Sequence, residues 1–159
     1  MDYLQQAPMT ATLVKAGLAA GTTNTFSTTG ATVWANKGKA FSKVAQTNAA
    51  LPAVDRTTGV AFAPIAGGQG AIVVFAFDPA GNVRCSQGGV QSVDAANAFM
   101  VSPQFPLLPD TDTPFGYLVI KVLPGAANYV FGTSNLSAVA SVTQTFVDVV
   151  QLPDRPQIA

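Results

Sequence analysis

The stretch Gly70-Ala-Ile-Val-Val-Phe-Ala-Phe77 is the strongest indicator of the fold in this sequence. Its side chains are apolar at both odd and even positions, so a strand here would present a hydrophobic surface on each face of a sheet. Residues 78–82 follow as Asp-Pro-Ala-Gly-Asn, in which Asp-Pro favours a type I turn and Gly81 allows a positive φ. The pattern predicts a hairpin that returns along residues 83–86, with its first strand central in a β-sheet and buried on both faces.

Short runs of β-branched and aromatic residues, separated by glycines, extend this pattern along the chain. Residues 115–123 are predicted as the second long strand, which ends at Pro124-Gly125, and residues 143–150 as the last strand. Helical features are limited to residues 92–99, where Ser92 can cap a short helix. The sequence therefore predicts an all-β domain, a β-sandwich or barrel-like fold with extended terminal arms and at most short helices. Its inner strands include 70–77 and 115–123.

The composition excludes several classes of function. The chain has 159 residues, the length of one domain, and only 10% of them are charged, against about 25% in an ordinary soluble domain. It contains no histidine, so a Ser-His-Asp triad or a histidine metal site cannot be built. The formal net charge of zero excludes a strongly basic nucleic-acid-binding protein. We predict a protein that is not an enzyme, with no catalytic residues, cofactor or metal.

Neither a membrane span nor a secretory signal is predicted. The longest uninterrupted apolar run, residues 71–77, is far shorter than the roughly 18–20 residues that cross a bilayer. Residues 1–6 have neither the cationic start nor the apolar run of a signal peptide. Cys85 is the single cysteine, so no intrachain disulfide can form. We expect Cys85 to be a small buried residue rather than a nucleophile, because no obvious neighbour would lower its pKa.

Two further motifs favour turns over ligand sites. Asp110 and Asp112 have a spacing that Ca²⁺ could use, but the glycine and terminal acid of an EF-hand loop are missing. We therefore expect a solvated turn there. Residues 67–70 read Gly-Gly-Gln-Gly and precede a strand, whereas a phosphate-binding loop follows a strand and ends in Gly-Lys-Ser/Thr.

Lysines and the single tryptophan provide the first interface candidates. Lys37, Lys39 and Lys43 share one parity of a predicted strand, which would place three positive charges on one face around Phe41. This face is either a docking stripe for an acidic surface or an edge strand protected from aggregation, and the second interpretation is favoured. Trp34 is predicted as a core or interface anchor rather than a platform for a sugar ring, because no acidic and amide cluster lies near it.

The two ends of the chain are predicted as arms around a single β-rich domain. Residues 1–9 form the N-terminal arm, residues 10–150 the domain, and residues 151–159 the C-terminal arm. Prolines in both arms lack the N–H group that ladder pairing needs. Both arms nevertheless carry apolar side chains that a solvating tail would not need, namely Tyr3, Leu4, Leu152 and Ile158. We expect at least one arm to lie against a neighbouring subunit, with Tyr3 or Leu152 in an apolar groove and Arg155 at its rim.

A surface with so few charges suits a subunit that is largely covered by neighbours. Three segments in the later part of the chain carry a resemblance: Pro114-Phe-Gly-Tyr-Leu-Val-Ile-Lys121, Phe131-Gly-Thr-Ser-Asn-Leu136 and Thr145-Phe-Val-Asp-Val-Val-Gln-Leu-Pro-Asp-Arg-Pro156. Here the sequence resembles structural proteins of tailed-bacteriophage virions. In its general residue pattern it is similar to small Ala/Gly/Thr-rich capsid decoration (cement) proteins.

The resemblance implies a non-enzymatic subunit that binds and reinforces the outer capsid lattice. Its partners would be the major capsid protein and copies of itself, often as a trimer, with neither nucleic acid nor membrane bound. Such a protein is made in the host bacterial cytoplasm and ends on the exterior of the virion. Two alternatives stay open: a phage tail or fibre component, and a carbohydrate-binding β-sandwich module that uses Trp34 or Tyr117.

Overall fold

The computed structural model describes residues 9–158, and its regular elements are strands. No helix occurs among these residues. The all-β fold class predicted from the sequence is therefore confirmed. The strands, in chain order, are β1 (Ala11–Thr12), β2 (Leu18–Ala20), β3 (Thr25–Thr28), β4 (Thr32–Asn36), β5 (Lys39–Lys43), β6 (Ala49–Ala50), β7 (Gln69–Phe77), β8 (Val83–Gln87), β9 (Gln91–Ser92), β10 (Thr113–Val122) and β11 (Val142–Asp148).

A five-stranded antiparallel sheet forms the centre of the molecule. Its strand order is β11-β10-β7-β8, with β9 also paired to β7. Every residue of β7 from Gly70 to Phe77 is buried, which confirms the prediction of a central strand covered on both faces. The predicted hairpin is also confirmed, since Phe77 pairs with Val83 and Gly81 has a φ of 80°.

Aromatic packing holds the first face of the central sheet to two smaller sheets. One small sheet has the order β1-β4-β5 and the other β2-β3-β6. Phe75 on β7 makes edge-on contacts with the rings of Phe26, Phe115 and Phe131. Phe26 belongs to β3, and the neighbouring Phe77 ring stacks on Trp34 of β4 at 4.1 Å between centroids, so each smaller sheet contributes a ring. The three sheets form a sandwich-like arrangement and do not close into a barrel.

Irregular chain covers the second face of the central sheet. Ile72 and Val74 of β7, with Tyr117 and Val119 of β10, form an apolar cluster on this face. The segment between β9 and β10 and the last described residues pack on this cluster through partly buried side chains: Phe99, Phe105, Leu108, Leu152 and Ile158. Both faces of the sheet are consequently buried, although only one of them meets other strands.

The short helix predicted over residues 92–99 is wrong. Ser92 pairs with Gln69 on β7, so this segment begins as a strand. The Asp94 carboxylate then accepts a hydrogen bond from the Ala98 N–H at 2.8 Å, and Asn97 adopts a φ of 62°. An Asx-type bond of this kind competes with helical hydrogen bonding and closes a tight loop instead.

Tyr117→Phe tests whether the last described segment is fixed to the sheet. The buried Tyr117 Oη accepts a hydrogen bond from the Gln157 backbone N–H at 2.7 Å, and the phenylalanine ring cannot replace it. We expect a loss of about 1 kcal/mol in the free energy of unfolding and faster hydrogen exchange over residues 150–158. Tyr129→Phe is the matched control, because Tyr129 Oη bonds elsewhere, to Asn135 and Gln144. Exchange over residues 150–158 that is equal in wild type and Tyr117→Phe would contradict this interpretation.

Candidate functional site

The three predicted interface lysines do not lie on one strand. Lys37 and Gly38 form the turn between β4 and β5, and both have a positive φ, of 47° and 80°. Two positive φ angles are what a tight type I′ hairpin turn requires, so this local geometry takes Lys37 out of the strand. Its Nζ lies 3.1 Å from Asp110 Oδ2, and both side chains are exposed.

Lys39 and Lys43 lie on β5, the outer strand of the β1-β4-β5 sheet. Lys43 Nζ donates a hydrogen bond to the Gly81 carbonyl oxygen at 2.7 Å, whereas Lys39 is exposed. Phe41 between them faces Trp34. Lysines on an outer strand discourage pairing with another chain, so this placement supports the edge-protection interpretation over the docking stripe.

Trp34 is a core residue with 2% of its surface exposed. Its ring stacks on Phe77 at 4.1 Å and on Phe41 at 5.6 Å between centroids. Tyr117, the other ring considered as a sugar platform, is also fully buried. Both rings are therefore closed to a carbohydrate at the surface.

The arm residues fall into two groups. Tyr3 and Leu4 lie outside the described residues. Leu152 packs against the chain's own sheet, in the cluster that contains Tyr117 and Val119. Arg155 lines an open cleft of about 450 Å³ together with Asp154 and residues 101–105. Leu152 was expected in an apolar groove of a neighbouring subunit. In the structure it lies instead against the apolar face of its own sheet.

An ion pair between the partly exposed Arg56 and the buried Asp112 links two distant loops. Arg56 donates to both carboxylate oxygens of Asp112, from Nε at 2.8 Å and from Nη2 at 3.2 Å, and this bond raises the pKa of Arg56. The Asp112 side chain is completely buried. The solvated turn expected here is therefore wrong for Asp112, because its carboxylate is buried and bonded to the guanidinium of Arg56. Sequence reasoning missed the pair, since nothing in a spacing of 56 residues indicates it.

Other aspartates also hold backbone in place. Asp55 is buried and accepts hydrogen bonds from the backbone N–H groups of Thr57, Thr58 and Gln87. Asp148 accepts one from the Leu18 N–H at 2.9 Å, which ties β11 to β2. Within residues 9–158, no group of three or more cysteine and aspartate side chains is placed to hold a metal ion. These carboxylates are engaged in maintaining the fold.

Asp78 stabilises the β7–β8 turn through its charge. Burial acts to raise the pKa of Asp78, but hydrogen bonds from Asn82, Arg84 and Ala80 outweigh it, so the pKa lies below the ordinary value of 3.8. A lowered folded-state pKa stabilises the protein fully above that ordinary value, and the stabilisation is lost as the pH falls through the folded-state pKa.

Asp78→Asn should therefore reduce the pH dependence of stability below about pH 4. We expect the free energy of unfolding of the wild type to fall more steeply between pH 5 and pH 2 (approximate limits) than that of the variant. Urea unfolding followed by circular dichroism at several pH values measures both curves. Parallel curves would contradict the role assigned to the Asp78 charge.

Cys85 is buried on β8, as predicted. Burial, together with the charge of Asp55, raises the pKa of its thiol well above the ordinary value. A thiol held neutral in this way is a poor nucleophile.

The segment between β9 and β10 exposes large apolar side chains. Met100 is 69% exposed, Val101 61% and Leu107 85%. We call residues 100–107 the apolar loop. Its other side is anchored, because the Phe105 ring lies 5.0 Å from that of Tyr117. The four prolines between residues 102 and 114 indicated a long connector, but not which of its side chains face outward.

No protein-family model matches this chain, and no curated protein sequence or solved structure matches it. Over the described residues, no helix combines the length and apolar character that a membrane crossing requires.

Proposed function

We propose that this chain is a non-enzymatic structural subunit of a bacteriophage virion, which binds the outer capsid lattice as a decoration protein and reinforces it. The observation that carries the proposal is the apolar loop. Met100, Val101 and Leu107 are exposed on a segment whose neighbouring residues are anchored to the sheet. The three side chains lie within one segment of eight residues, and exposed apolar side chains concentrated in one segment are typical of binding sites. Burial in a partner would remove them from water.

The distribution of charge supports the same role. Only 10% of the residues are charged, and several of these bond within the fold, including the pairs Arg56–Asp112 and Arg84–Asp78. The exterior therefore relies mainly on uncharged side chains. Such a surface suits permanent contact with neighbouring subunits, because charged residues are depleted at the cores of protein interfaces.

A tail or fibre component remains the alternative, since it would use the same kind of surface. The carbohydrate-binding alternative is less well supported, because the rings of Trp34 and Tyr117 that it required are buried. An antibody raised against the recombinant chain distinguishes these functions. It would be applied to phage particles from a bacterial culture that carries the gene for this chain, after the particles are purified on a density gradient.

We expect the chain to band with intact particles and gold-labelled antibody to decorate the head shell. Gold labelling of the tails would contradict the capsid location and would support a tail or fibre component instead. Absence of the chain from purified particles, with all of it in the soluble fraction, would overturn the virion proposal.

Substitution within the apolar loop then tests the docking surface. In this experiment, purified chain is added to particles from which the chain is missing, and the number of copies bound is measured. Leu107→Asp should bind in fewer copies than the wild type. Val44→Asp is the matched control, because Val44 is similarly exposed, at 76%, but lies outside the loop. Equal occupancy for Leu107→Asp and the wild type would exclude the apolar loop as the docking surface.

A further inference from the structure

Strand β11 is the outer strand on one side of the central sheet. It pairs along its whole length with β10 and with no other described strand. Two bonds, from Leu123 N–H to Ser141 O and from Val149 N–H to Phe115 O, show which backbone groups of this strand face β10. Residues at odd positions of β11 consequently bond to β10, and the backbone groups of Gln144 and Phe146 point away from it. These groups form no hydrogen bond with another described residue.

The outer strands β1, β2 and β6 have only two or three residues, and the longer outer strands other than β11 carry charged side chains. Within residues 9–158, the backbone of β11 is engaged outside the β10 ladder only near its ends, where Val142 N–H bonds to Val139 O and Thr12 N–H bonds to Val150 O. Lys39 and Lys43 lie on β5, and Arg84 lies on β8. On the β8 side, the edge is also shared between two short strands, β8 and β9. The seven residues of β11, Val-Thr-Gln-Thr-Phe-Val-Asp, include neither a lysine, an arginine nor a proline. Their one charge, on Asp148, is bonded to the Leu18 N–H. A regular outer strand of this kind is a template for another strand.

We propose that β11 pairs with β11 of a second copy of this chain. The two strands would run antiparallel about a twofold axis near Thr145, so that two central sheets become one continuous sheet. A second copy fits because the strand is self-complementary. The backbone groups of Gln144 and Phe146 point outward, and a twofold axis at Thr145 places Gln144 of one copy opposite Phe146 of the other. Each outward N–H then meets an outward C=O of the second copy. The pairing does not depend on the proposed role in a virion.

Sedimentation equilibrium of the full chain at several concentrations tests the pairing. The wild type should show a mass twice that of the 16.3 kDa monomer at high concentration. Thr145→Lys should raise the dimer dissociation constant more than about tenfold, because two like charges then meet near the axis. Thr145→Asp should do the same, and an equal mixture of the two variants should recover the dimer. Val44→Lys, exposed and distant in sequence from β11, should behave as the wild type.

A wild type that stays monomeric at every concentration would overturn the proposal. So would a Thr145→Lys variant that is folded by circular dichroism and dimerises as tightly as the wild type. If the Thr145 variants do not fold, hydrogen exchange of the wild type decides. Amides of Gln144 and Phe146 should be protected at high concentration and exchange faster on dilution. Exchange at these two amides that is independent of concentration would equally overturn the pairing.

Discussion

Replacing Phe75 by alanine is expected to lower the free energy of unfolding by about 3–5 kcal/mol, the range for a fully buried phenylalanine. Phe75 is completely buried in the middle of β7, and its ring contacts those of Phe26, Phe115 and Phe131. Alanine would leave a cavity between the central sheet and the strands and loops that pack on its first face. Since a domain is stabilised by only about 5–15 kcal/mol, much of its stability would be lost.

Urea unfolding measured by circular dichroism gives this difference, provided that the slope against urea stays that of the wild type. Val44→Ala is the control, because Val44 is exposed and its truncation should change the free energy by less than about 0.5 kcal/mol. A loss below about 1 kcal/mol for Phe75→Ala would mean that the first face of the sheet is not the main core.

Arg56→Ala is expected to have the second largest effect, a loss of about 2–3 kcal/mol, because the Arg56 side chain is one third exposed and its partner is buried. The variant removes the guanidinium and leaves the Asp112 carboxylate buried without its charged partner. The cost arises from that unpaired charge, since a buried ion pair adds little beyond what its own desolvation costs. The loop before β10 should become more mobile in the same variant, because Asp112 adjoins Thr113.

The double variant Arg56→Ala/Asp112→Asn distinguishes the unpaired charge from a simple loss of packing. We expect it to be more stable than Arg56→Ala alone, because the second substitution removes the buried charge. Lys37→Ala is the control for an exposed pair, since Lys37 and Asp110 lie in solvent and should contribute about 1 kcal/mol or less. A double variant less stable than Arg56→Ala would contradict the account.

The elements that were predicted correctly are those whose structure is determined by residues adjacent in the sequence. Residues 70–77 have a continuous apolar run, and the Asp-Pro-Ala-Gly-Asn turn that follows specifies its own geometry. The error at residues 92–99 is also local in origin. Ser92 and Asp94 suit a helix start, but the same aspartate can cap a tight loop, and pairing of Ser92 with β7 selects the loop.

The site features that were missed depend on contacts between distant parts of the chain. Arg56 and Asp112 are 56 residues apart and lie in different loops, so no spacing in the sequence indicates the pair. The apolar residues of the C-terminal segment were recognised, but the sequence does not specify the surface that receives them. In the structure, Leu152 packs on the sheet that its own chain provides.

A cryo-EM reconstruction of phage particles, purified from a bacterial culture that carries the gene for this chain, tests the proposed function. The structural-subunit account predicts density for the three-sheet domain on the outside of the head shell, with residues 100–107 directed at the shell. A complete reconstruction in which other proteins account for all density of the head, tail and fibres would contradict it.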